Sequence, residues 1–526
     1  MLLYRKAILA LSLIVATVSL YGVNLNEAQY NKLTKEYTLN ADGSYSLRVV
    51  KELTLFTHSS FNKLYGETFV IYNPQRESLT INECRTTQAD GTVITAPDNA
   101  FNEVLPSSAA NAPAYNHIKE MVITHTGLEI GASIYLDYTL TSQPAEDGAT
   151  PFDIKEVIQE SSPVKEYTIS IEAPKELALR YKLIGASTKP KVVGDKLIFK
   201  FKNVAPAAVE QFKPQNGVAP MLLATTASED FAASKFAKSI TCSSIDELVS
   251  EITAGKEGSE ILSSILSYIN SRIDSSALPF IYQNNQERSP EVVIKSGYAT
   301  KYEKDMILKA MLAVAQIPYE TILIYPSGIS LDMLTLSTLK GVLFKIDESY
   351  YSSASTKAIE IGRRSGLDSF YLIAADGSVS IIVAPELAPI TNSYSQKISE
   401  KMALESGYII FTPKSIDSGV RSWGLRSLPT QRTSPLELVS TISECSTWTI
   451  ELEEGVKLQS EEFEKSISYP FGELSITLVD QGDSVILTRS ISITKQTITP
   501  SEYSKFREFI NAWNSSKGAQ LLFVAE

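Results

Sequence analysis

The hydrophobic period changes twice along this chain, and that change constrains the fold more than any other feature. From about residue 24 to 225 the apolar positions recur in period two. Tyr45, Leu47, Val49, Leu53 and Leu55 alternate with Ser46, Arg48, Glu52 and Thr54, as expected of a half-buried strand. Asp42-Gly43 and Asp90-Gly91 are turn signals. Ile134–Leu140, Tyr167–Ile171 and Leu197–Phe201 continue the pattern, and Pro163 and Pro174 bracket the second of these. Many short strands separated by turns predict a β-sandwich.

From about 240 to 320 the period becomes helical. Ser244 and Glu247 form a capping box ahead of Leu248 and Ile252. Ile261, Leu262, Ile265, Leu266 and Ile269 recur at helical spacing. Thr300 and Glu303 form a second box, and Met306, Ile307, Ala310, Met311 and Val314 then make one apolar face. Ile317-Pro318 stops that helix. Strands are expected at Thr321–Tyr325, Val342–Ile346, Phe370–Ile373 and Ser380–Val383, so the segment reads as α+β. After about 395 the period returns to two. Leu474–Val479 and Val485–Ile493 form a hairpin, and a closing helix is expected with Thr499 as N-cap, Pro500 at its first position and Glu502 completing the box. Phe506, Phe509, Ile510 and Trp513 give that helix one apolar face.

At 526 residues the chain exceeds what one core supports. The expected partition is a targeting segment at 1–22, a β-sandwich at 23–228, an α+β core at 229–392 and a small β domain with its closing helix at 393–526. The targeting segment has a positive start at Arg5 and Lys6, an apolar stretch from Ala7 to Leu20, and small residues at Ala16, Ser19 and Gly22. That is the layout of a secretory signal peptide, with an uncleaved anchor as the alternative. No cysteine lies near its end, so lipoprotein processing is not expected. The expectation is an exported protein of the periplasm or cell surface, not integral to the membrane once the signal is cleaved. The 60 acidic and 48 basic residues give a net charge of −12, which argues against a nucleic-acid partner and does not favour an anionic membrane. Cys84, Cys242 and Cys445 are too few for a disulfide scaffold or a Cys-rich metal site. They are expected as unpaired thiols, with at most one bridge. Cys242 lies near a predicted helix start, which lowers a thiol pKa, but no histidine is close in sequence.

The stretch TKYEKDMILKAML at Thr300–Leu312, preceded by SGYA and followed by AVAQIPYETILIYP, resembles the active-site helix of transglutaminase-like domains. The resemblance implies a papain-like α+β core. In residues 1–225, TTQADGTVI, THTGLEIGASIYLDY and PVKEYTISIEAP resemble the exported domain of unknown function that precedes such cores, especially in Bacteroidetes. ISYPFGELSITL, VILTRSISI and PSEYSKFREFINAW resemble the domain that follows them.

The family's nucleophilic cysteine opens the active-site helix, its histidine lies on a following strand and its aspartate on the next. Carried onto this chain, the three places fall on Lys301, on Gly341, and on Ser352 or Ser353. No histidine follows His125 anywhere in the sequence. Thiol acyl transfer needs a thiolate and an imidazole to activate it, so the resemblance implies a degenerate triad. Lys301 faces an unfavourable helix dipole and is expected to point to solvent.

Other constellations are weaker. His58, His117 and His125 fit no metal-ligand spacing. Glu451–Glu454 and Glu461–Glu464 lack the pattern of a calcium loop. No P-loop, dinucleotide fingerprint or nucleophile elbow occurs. The 25 tyrosines fit strand propensity. No cofactor or metal is expected. The expected function is a non-catalytic binding or scaffold module for an unknown peptide, protein or glycan. The alternative is a hydrolase or acyl-transferase that uses non-standard residues such as Glu303 and Asp305.

Overall fold

The computed structural model describes residues 26–144, 150–214, 219–237, 243–279, 282, 287–364, 367–374, 377–398, 408–413, 419–515 and 520–525. The expected signal segment and Cys242 lie outside them. The chain packs as two compact units. One comprises Met1–Ala207, Pro220–Thr226 and Ser276–Gln286, and the other Ala208–Ala219, Ala227–Ser275 and Glu287–Glu526.

The first unit is built of sheets. The strand Ala28–Leu39 pairs antiparallel with Tyr45–Leu55 and parallel with Val164–Glu172, inside an eight-stranded sheet. Two three-stranded sheets accompany it. One shares a core with the large sheet through Leu33, Val49, Tyr167, Phe199, Leu222 and Ala224. The other contributes Val70 and Ile123 to a core that holds Cys84 and Leu136. The alternation read at 45–55 is present, with one exception. Lys51 stands in register with Leu33 and Leu136, both fully buried, so it occupies the apolar face. Lys35 also points inward, and its Nζ lies 2.6 Å from Glu156, which accepts from the Tyr37 hydroxyl as well. Two lysines are therefore held on the core face, one of them in a direct ion pair, and burial lowers the pKa of Lys51.

The second unit contains the helical segment and the closing β region. Helices at Ser243–Thr253, Ser259–Arg272 and Pro290–Ser296 precede Lys301–Val314. A five-stranded antiparallel sheet runs in the spatial order Ser349–Tyr351, Gly341–Ile346, Glu320–Pro326, Asp368–Ile373, Val379–Ile382. The four strands expected here fall within one or two residues of these bounds. The helix Lys301–Val314 is more buried than its pattern suggests, since every residue from Tyr302 to Leu312 is buried. Gln316 adopts a left-handed φ of 54° just beyond it, and the Ile317 N–H closes onto the Leu312 carbonyl at 3.0 Å, so the chain turns before Pro318.

Residues 390–525 add a five-stranded sheet containing Gly472–Asp480 paired with Ser484–Ile493, as the hairpin pattern predicts. The closing helix spans Tyr503–Trp513, three residues later than the Pro500 start. The Glu502 carboxylate is held by Lys495 and by the Thr499 N–H and hydroxyl, and 500–502 form a turn ahead of the helix. A terminal strand, Leu521–Ala525, lies between Ile409–Phe411 and Val456–Leu458. Among the described residues no helix is long and apolar enough to cross a membrane.

Candidate functional site

The start of the helix Lys301–Val314 is fixed by local chemistry. Thr300 is the N-cap. Its side chain accepts from the Glu303 N–H, and Glu303 accepts in return from the Thr300 N–H at 2.9 Å. Glu303 is also the anchor of Arg288, which approaches it with Nε at 2.8 Å, Nη2 at 2.9 Å and its main-chain N–H at 3.1 Å. The Glu303 side chain is fully buried. Its acceptor sites are thus taken up by a fork-shaped ion pair and a cap, and the carboxylate that the alternative reading would use for chemistry is a structural one.

Lys301, Gly341 and Ser353 lie around this helix start. The Lys301 side chain is exposed, but it does not run free into solvent: its ammonium donates to the Lys340 carbonyl at 2.5 Å. That position brings it over Gly341, where an added Cβ would lie 2.8 Å from Nζ. Gly341 opens its strand, next to Ile324 of the neighbouring one. Ser353 lies just beyond the strand Ser349–Tyr351 and is buried. Its hydroxyl donates to Asp305 at 2.5 Å, one helical turn beyond Lys301. Ser352, the other residue expected at the aspartate's place, accepts from the Ala354 N–H.

Several charged residues in this region are buried, which their spacing along the sequence does not indicate. Burial pushes the Asp305 carboxyl up to about 7, opposed by the Ser353 bond and by the charges of Lys301 and Lys304. Lys304 donates to the Ser275 hydroxyl at 3.1 Å, and burial lowers its pKa. Lys309 donates to the Phe236 carbonyl, and burial brings it down to about 8. Lys340 pairs with the buried Asp368 at 2.5 Å. Residues 304, 305 and 309 fall outside the apolar face read from the spacing, yet every residue from Tyr302 to Leu312 is buried.

Thiol and imidazole meet elsewhere. In the first unit Cys84 Sγ lies 3.6 Å from His125 Nδ1, and His125 Nε2 lies 3.0 Å from the Thr68 hydroxyl. Both residues are buried. Burial pushes the thiol up to about 11 and the imidazole down to about 4, so neutral forms are favoured on both and the pair is poorly suited to nucleophilic work. His58 stands against Phe61 and His117 against Tyr115. Cys445, on the strand Ile442–Leu452, is a free thiol. Among the described residues no group of three or more His, Cys, Asp or Glu could hold a metal.

The fold defines a multi-domain, sheet-rich α/β protein whose capped central helix faces an antiparallel sheet. Two family models match it: a domain of unknown function with solved structure, DUF3857, over residues 41–208, and another such domain, DUF3858, over 407–523. A crystal structure described as a "putative protease" from Parabacteroides distasonis is 35% identical, with 94% of this chain and 99% of that one covered and a TM-score of 0.80. The chain belongs to the same family as that Parabacteroides protein. Yeast LTA4 hydrolase is 11% identical over 38% of this chain and 29% of its own, with a TM-score of 0.21, a likeness that carries no argument about fold or function. No protein of curated function matches the chain.

Proposed function

We propose that this is an exported, non-catalytic protein with a transglutaminase-like core, acting in the cell envelope as a binding or scaffold module for a peptide, protein or glycan. The observation that carries this reading is the helix start at residues 300–305. The place of the nucleophile holds Lys301, which is engaged with a main-chain carbonyl. The place of the imidazole holds Gly341, and the third place holds a serine bonded to a buried carboxyl. Acyl transfer through a thiolate needs all three groups, and loss of one costs orders of magnitude in rate. The test is turnover by the purified protein of glutamine-containing peptides and generic protease substrates. The expected result is none above buffer. Turnover that survives purification and disappears in Cys242→Ser would overturn the reading.

One observation favours an enzyme instead. The Asp305 carboxyl, held near 7, accepts directly from the Ser353 hydroxyl, and a carboxylate of that pKa is matched to proton transfer near neutrality. Activity abolished by both Asp305→Asn and Ser353→Ala, with the proteins still folded, would put the hydrolase reading first.

A further inference from the structure

A groove in the second unit is independent of the helix start. Its volume is about 490 Å³. One wall is the connector from Ala384 to Ala388, which links the edge strand Val379–Ile382 to the strand beginning at Ile390. The other wall is made by the entry to Ile442–Leu452 and the exit of Ser484–Ile493, with hydroxyls at Ser440, Thr441, Ser443, Ser492 and Thr494. Glu360 and Gly362 complete it. Gly362 has no room for a side chain, since an added Cβ would lie 2.5 Å from the Pro385 carbonyl oxygen.

Three features indicate what the groove takes. Its main chain is open: Ala384 to Ala388 form no backbone hydrogen bond among the described residues. The adjoining strand Val379–Ile382 is the last in its sheet, so one side of it is unpaired, and Ile381 and Val383 are 64% and 88% exposed. Such an edge is a template for an added strand. Polar capacity is also left over inside. Ser440 is 1% exposed and its hydroxyl makes no hydrogen bond among the described residues, although buried polar groups are rarely left unmatched. Finally, the lining carries two glutamates, Glu360 and Glu386, and neither a basic nor an aromatic residue. The missing aromatic faces disfavour a sugar ring, which is held largely by stacking, and the exposed Glu386 carboxylate favours a cation.

We propose that this groove binds an extended, positively charged peptide segment, added as a strand along Ala384–Ala388. The peptide main chain bonds to the connector, alternate side chains enter the groove over Ile442 and Ile493, and a basic side chain meets Glu386. The inference deepens the binding-module reading above by naming the ligand class and placing it away from Lys301.

The experiment uses the full chain and fluorescence anisotropy with three labelled decapeptides: a Lys-Val repeat, the same peptide N-methylated at alternate residues, and a Glu-Val repeat. Cellohexaose serves as the sugar probe, measured by calorimetry. Ala388→Trp fills the groove and Glu386→Lys replaces its exposed carboxylate with an ammonium group. Both sites are exposed, and thermal melts check that the variants fold. The Lys-Val peptide is expected to bind at least tenfold more tightly than either other peptide, and each variant to lose at least tenfold. Equal binding of the N-methylated peptide, or binding unchanged in Ala388→Trp, leaves only a general attraction to a chain of net charge −12 and overturns the proposal. Absence of peptide binding overturns it too, as does cellohexaose binding that Ala388→Trp removes. Binding lost in Lys301→Ala but not in Ala388→Trp would move the ligand to the helix start. None of these failures touches the non-catalytic reading, which fails only on turnover.

Discussion

Replacing Glu303 with alanine tests whether the carboxylate at the helix start is structural. In the folded protein its side chain is fully buried and accepts from Arg288 Nε, Nη2 and main-chain N–H and from the Thr300 N–H. Truncation removes the Glu303 counter-charge from the Arg288 side chain, itself only 13% exposed. Breaking a buried pair from one side costs about 3–5 kcal/mol, because the remaining charge is uncompensated. With a urea m-value on the order of 3 kcal/mol per M for a unit of this size, the midpoint falls by about 1–1.7 M. The assay is urea unfolding followed by circular dichroism, on Glu303→Ala, Arg288→Met and the pair Glu303→Leu/Arg288→Met. The double variant should be less destabilised than either single, since no buried charge is left over. Costs below about 1 kcal/mol for the singles, or strictly additive effects, would refute the reasoning and return Glu303 to the candidate catalytic carboxylates.

Three further outcomes follow from the same geometry. Burial raises the Asp305 carboxyl from 3.8 to about 7, so the native state binds more protons than the unfolded one in that window. This contribution to stability is fully present below the ordinary carboxyl value and is lost as pH rises through about 7, by roughly 1.4 kcal/mol for each pH unit crossed; unfolding midpoints across the acid-to-neutral range should show this decline in wild type but not in Asp305→Asn. Gly341→Ala places a Cβ 2.8 Å from the Lys301 ammonium, which is the movable end of a flexible side chain, so it should cost under about 1 kcal/mol and become neutral in a Lys301→Ala background; equal costs in both backgrounds would separate the two residues. Cys84, buried and pushed up to about 11, should resist iodoacetamide near neutral pH in the native protein and react after unfolding, as read by mass spectrometry; rapid native labelling would contradict the buried Cys84–His125 pair.

The sequence by itself determined most of the elements and the cap of the central helix, while Ser244, read as an N-cap, lies inside the helix Ser243–Thr253. Period-two alternation located the strands around 45–55, 134–140, 167–171 and 197–201, because a sheet with one buried face imposes that pattern on contiguous residues. The Thr300–Glu303 box located the start of the central helix to the residue, since both partners lie within one turn. The same local logic placed the closing helix three residues early. It registered the Thr499–Glu502 bond but not Lys495, which also holds that carboxylate. A known family pattern brought Lys301, Gly341 and Ser353 together, and they do gather at the helix start. Only the tertiary structure decided what the polar residues do there. Periodicity assigns a charged residue to the solvent face by default, so Lys51, Lys304, Asp305 and Lys309 gave no sign of burial. Their environments come from residues far away in sequence: Ser353 is 48 positions from Asp305, Phe236 is 73 from Lys309, and His125 is 41 from Cys84. A partner at such a distance leaves no mark on local propensity or spacing, because it is selected by the packing of whole elements against one another. The groove beside Ala384–Ala388 has the same origin. Its lining comes from four stretches of chain, from Glu360 to Thr494, and each reads on its own as an ordinary turn or strand end.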